Sequence, residues 1–70
     1  MRVIKQGDNL IIEPEHNDKV YLIRNDKMHR YEIVGAKWGQ IKSFPYMRTN
    51  SRELAIAYAF QVALDSNLIE

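Results

Sequence analysis

Eight of the chain's ten basic side chains fall between Lys19 and Arg52, where only Asp26 and Glu32 oppose them. This segment therefore carries +6 in a chain whose net charge is +1. The flanks are acidic, −2 over residues 1–18 and −3 over residues 53–70. Tyr21, Tyr31, Trp38, Phe44 and Tyr46 lie in the same basic segment. Cations that neutralise phosphates, interleaved with rings whose faces stack or wedge, are suited to nucleic-acid binding. The pattern predicts phosphate contacts from Arg24, Arg30, Lys37, Lys42 and Arg48, with Trp38 as the ring contact. The competing reading is packing with the bases as ordinary sheet-surface residues, and Tyr21, Tyr31 and Phe44 are expected to be buried in the core under a helix. Trp38 differs, because a tryptophan between Lys37 and Gly39 at a hairpin tip is expected to stay exposed and make a contact.

Other chemistry is sparse. The chain has no cysteine, no glycine-rich phosphate loop, no HExxH and no GxSxG, so a non-enzymatic protein without cofactor or metal is expected. His16 and His29 fall in predicted turns, where histidine is normally solvated. Glu13, Glu15, His16 and Asp18 bring donors together without the fixed pattern of a calcium loop, and read as a solvated acidic turn. The start MRVIKQGDN lacks the apolar core of a signal peptide, and no apolar run approaches the roughly 18 residues of a membrane span. A soluble, cytoplasmic chain is expected.

Short strands and one helix must position these groups. Strands are predicted at 2–5, 10–13, 19–24, 30–34 and 40–44, with Gly7-Asp8-Asn9 as a hairpin turn and Pro14 and Pro45 as strand stops. Gly35 and Gly39 are expected to bracket a tight loop. Residues 50–67 read as a helix capped by Asn50, with Glu53 completing a capping box. Leu54, Ala57, Tyr58, Gln61, Leu64 and Leu68 recur at three- and four-residue spacing and are expected to face the sheet, with Phe60 at their edge. Ala55, Ala59 and Ala63, flanked by Ile56 and Val62, would then form an outward stripe. That stripe is either helix-favouring alanine or a second contact surface through which the chain pairs as a homodimer. The expected fold is α+β, a single domain over residues 1–70: a small antiparallel β-sheet of about five short strands joined as hairpins, packed by one C-terminal α-helix.

From about Val20 to Ser66, Lys42-Ser43-Phe44 followed by Ser51-Arg52-Glu53-Leu54-Ala55 and Ala59 resembles the sheet-plus-helix DNA-binding modules of the AP2 and integrase arm-binding type. The resemblance implies a sheet entering the major groove, with Arg24, Arg30, Lys37, Trp38 and Lys42 at base- and phosphate-contacting positions. Trp38-Gly39-Gln40 is also similar to the Trp-Gly-Arg element of WGR domains, with Gln40 in place of its arginine. Two function classes follow. One is a small DNA-binding module. The other is a compact protein, of the kind common in phages and mobile elements, that binds and inhibits or adapts a host protein through its acidic ends, an edge strand or an apolar helix face.

Overall fold

A computed structural model describes residues 1–15, 17–37 and 40–65, Lys37 by its backbone alone. Five strands, β1 (Arg2–Gln6), β2 (Asn9–Glu13), β3 (Lys19–Asn25), β4 (Arg30–Lys37) and β5 (Gln40–Ser43), form one antiparallel sheet in sequential order. A short 3-10 turn at Pro45–Met47 leads to the single helix α1 (Arg52–Leu64). The expected α+β architecture is observed.

Turn chemistry joins neighbouring strands directly. Gly7 adopts φ +60° between the paired residues Gln6 and Asn9, a conformation that glycine enters without steric cost at the first central position of a hairpin turn. The β3–β4 loop closes through Asn25 Oδ1, which accepts from the Met28 N–H at 3.2 Å, and His29 takes φ +52°. Gly35, expected in a loop, is instead a buried strand residue, because β4 continues to Lys37 in register with Lys19–Val20 on one side and Gln40–Ser43 on the other. Pairing on both sides outweighs the weak strand preference of one glycine. Asp18, expected in a solvated turn, is buried, and its N–H donates to the Glu15 carbonyl at 3.1 Å.

The helix begins later than the capping pattern suggests. Tyr31 and Thr49 exchange both backbone hydrogen bonds, at 2.7 and 3.3 Å, which holds residue 49 extended against β4. Ser51 then becomes the cap, its Oγ accepting from the Leu54 N–H at 3.3 Å. Asn50 therefore makes no capping box with Glu53, although Glu53 still lies in the first turn, where the helix dipole favours an acid. The expected helical residues 66–67 lie outside the described residues.

The helix also lies the other way round from its pattern reading. Ala55, Ala59, Val62 and Ala63 are buried, and Ile56 is half-buried against the same core. Leu54 and Leu64, expected under the sheet, are 44% and 72% exposed. Ala57 and Gln61 are exposed too, and Tyr58 and Phe60 are half-buried; Leu68 lies outside the described residues. The sheet supplies the bulk of the core, Leu10, Ile12, Val20, Leu22, Tyr31, Ile33 and Phe44. Small helix residues facing those large ones fill the interlayer space without overlap. The stripe expected to mediate self-association is therefore the helix's half of the core.

Candidate interaction surface

Strand alternation divides the charged residues between two faces. Residues 10, 12, 20, 22, 31, 33 and 44 point towards α1, so their neighbours point to the open face. Across that open face the register aligns Ile4 with Ile11, Ile11 with Tyr21, Tyr21 with Val34 and Val34 with Ser43. An apolar row with a tyrosine at its centre therefore crosses four strands, and Ile4, Ile11, Tyr21 and Val34 are each half-buried. The next row adds Ala36 opposite Ile41, the latter 76% exposed. Ile23, opposite Glu32, is exposed on the other side of the row. Tyr21, expected under the helix, is thus on the opposite side of the sheet, because it alternates with the core residues Val20 and Leu22.

Charged residues rim this row. Arg2 pairs in register with Glu13, and Lys19 is exposed opposite Ala36. Towards the β3–β4 turn, the Glu32 carboxylate meets Arg30 Nε at 3.4 Å and Arg48 Nε at 3.7 Å, and accepts from Asn25 Nδ2 at 3.4 Å. One carboxylate facing two guanidinium groups leaves a local excess of one positive charge. The rim residues Arg2, Lys19, Arg30 and Arg48 against Glu13 and Glu32 give the open face a net charge of +2.

Of the other predicted cations, Arg24 and Lys42 are on the helix side, where Arg52 joins them. Arg24 donates from Nη1 to the Tyr31 hydroxyl at 3.1 Å, lies 5.0 Å from that ring's centroid, and pairs through Nε with Asp26 at 3.2 Å. Arg52 lies 5.8 Å from the same centroid and donates to the Asp8 carbonyl at 2.8 Å. The Arg52 guanidinium first, and Arg24 after it, hold the Tyr31 phenol below the usual tyrosine range despite its burial. The hydrogen bond to Tyr31 in turn raises the Arg24 pKa, so its charge is fixed. The Arg24 N–H also donates to Asn9 Oδ1 at 2.9 Å, tying the end of β3 to the first hairpin. Lys42 lies beside Phe44, its Nζ 5.4 Å from the ring centroid.

The six residues expected to bind nucleic acid are therefore not one surface. Arg30 and Arg48 share the open face, and Arg24 and Lys42 sit on the helix side of opposite hairpins. The Lys37 side chain and Trp38 lie outside the described residues. The apolar row does not follow from the pattern of cations. Its signal was present in Leu10-Ile11-Ile12 and Val20-Tyr21-Leu22-Ile23, runs too continuous for strands with only one apolar face.

One further feature lies along the β5 edge, an apolar cleft of about 340 Å³ lined by Lys42, Ser43, Phe44, Pro45, Tyr46 and Met47. Among the described residues no group of three His, Cys, Asp or Glu side chains is placed to hold a metal ion, and no helix is long and apolar enough to cross a membrane. No protein-family model, no curated protein and no solved structure matches the chain.

Proposed function

We propose that this chain is a small protein-binding module whose contact surface is the open face of the sheet. The observation that carries this reading is the row Ile4, Ile11, Tyr21 and Val34, placed side by side by the strand register on the face away from the core. The solvated face of an antiparallel sheet ordinarily alternates to polar residues. An apolar centre with an aromatic anchor and a charged rim follows the anatomy of protein interfaces. The rim charge of +2 fits a partner whose own apolar patch is bordered by Asp and Glu. A host protein inhibited or adapted in this way is the partner class in view.

Nucleic acid is the second reading, favoured by the presence of Arg2, Lys19, Arg30 and Arg48 around one face. It is the weaker of the two, because Arg30 and Arg48 share the Glu32 carboxylate and the centre of the face is mostly aliphatic rather than stacked rings.

Nuclease-treated lysate of the source cell, passed over the parent chain and over Tyr21→Glu, tests the proposal. A stoichiometric protein retained by the parent and lost with Tyr21→Glu, while Leu54→Glu on the helix still retains it, is the expected result. Labelled duplex and single-stranded DNA titrated at two salt concentrations form the second arm. Binding that is tight at low salt, falls steeply with salt and weakens with Arg30→Ala and Arg48→Ala would overturn the protein reading in favour of nucleic acid.

A further inference from the structure

β5 ends the sheet, and its four residues are all exposed. The Phe44 N–H donates to the Ile33 carbonyl at 3.0 Å. In an antiparallel ladder the backbone groups then alternate, so those of Lys42 face β4 and those of Ile41 and Ser43 face outward. Two outward N–H and C=O pairs are thus available to another strand. Beside them lies the cleft of about 340 Å³, with Tyr46, 99% exposed, on its rim. That volume is at the low end of ligand sites, suited to one large apolar side chain.

Charge narrows the occupant. No Asp or Glu occurs from Ile33 to Arg52, whereas Lys37, Lys42, Arg48 and Arg52 do. A second copy offering its own β5 would bring like charges together, and an edge lysine is a common guard against such pairing. An acidic strand meets no such barrier.

We propose that β5 accepts an extended acidic peptide segment of a partner protein by strand addition. The incoming backbone bonds Ile41 and Ser43, one large apolar side chain enters the cleft, and a carboxylate meets Lys42. This site uses the outward backbone of β5 and the cleft beside it rather than the side chains of Ile4, Ile11, Tyr21 and Val34, and does not depend on them.

The test uses the full chain, isotopically labelled, with a capped heptapeptide that carries Glu, Phe and Glu at its second, fourth and sixth positions, so that all three side chains point to one face, and a counterpart with Lys in place of Glu. The acidic peptide is expected to shift residues 40–47 and to slow exchange of the Ile41 and Ser43 amide hydrogens, with the lysine peptide binding at least about tenfold more weakly. Ile41→Pro removes an outward donor and leaves the β4-facing bonds in place, so it should abolish binding while the other sheet resonances persist. If that variant misfolds, methylating alternate amides of the peptide removes the same ladder from the ligand side. Tyr21→Glu should leave peptide binding unchanged, which separates failure here from failure of the open-face reading. Equal binding of the two peptides, shifts confined to the Tyr21 face, no shift at millimolar peptide, or binding that survives both ladder-breaking changes would overturn the proposal.

Discussion

Two alanines two positions apart on α1 report which side of the helix meets the sheet. Ala59 is fully buried against it, and Ala57 is exposed. Ala59→Arg would force a long charged side chain into an interlayer space already filled by the side chains of β2, β3 and β4. An unpaired buried charge costs several kcal/mol, and overpacking adds about 1–3 kcal/mol. A domain of this length has a total stability of roughly 3.5–10 kcal/mol, so this single change should unfold much or all of the population. Ala57→Arg makes the same chemical change in water. Arginine is nearly as good a helix former as alanine, so the effect should stay within about 0.5 kcal/mol. Ala59→Leu, which overpacks without charge, should fall between them at about 1–3 kcal/mol. Urea unfolding followed by far-ultraviolet circular dichroism measures all three. Loss of structure in the Ala57 variant with a native-like Ala59 variant would refute the helix orientation, and is the result the spacing of Leu54, Tyr58 and Leu64 alone predicts.

Other outcomes follow from the same contacts. Because the folded Tyr31 phenol is held below its unfolded value of about 10, the folded state binds fewer protons in that window. Its contribution to stability is therefore fully present above the unfolded pKa and lost as pH falls through the folded one. Absorbance titration should show one tyrosine ionising below the ordinary range, a step that Tyr31→Phe removes, and its persistence in that variant would refute the assignment. Ser51→Ala should cost about 1 kcal/mol through loss of the cap, against less than about 0.5 kcal/mol for Asn50→Ala; equal losses in chemical denaturation would restore Asn50 as the cap. Glu32→Gln leaves Arg30 and Arg48 facing each other without their carboxylate. A loss of about 1 kcal/mol that shrinks with added salt is expected, and a salt-independent change would assign Glu32 a packing role instead.

How much of this was legible beforehand differs from element to element. Gly7, Pro14 and Pro45 placed turns and strand stops locally, through the dihedrals they allow or the donor they lack, and five strands followed by one helix came from those signals together with β-branched and aromatic runs. The absence of cysteine likewise rules out thiol chemistry in this chain from composition alone. These are properties of single residues and their immediate neighbours. Facing is not. The helix is apolar on nearly every side, so its spacing is satisfied by either orientation, and only the volume of Ile12, Leu22, Ile33 and Phe44 opposite decides that the alanines turn inward. Gly35 remains in a strand because two neighbouring strands pair with it. The cations between Lys19 and Arg52 are contiguous in the chain, yet alternation at period two sends Arg24 to one side of the sheet and Arg30 to the other. The row of Ile4, Ile11, Tyr21 and Val34 comes from four separate strands, and only the register of the ladder brings these residues together.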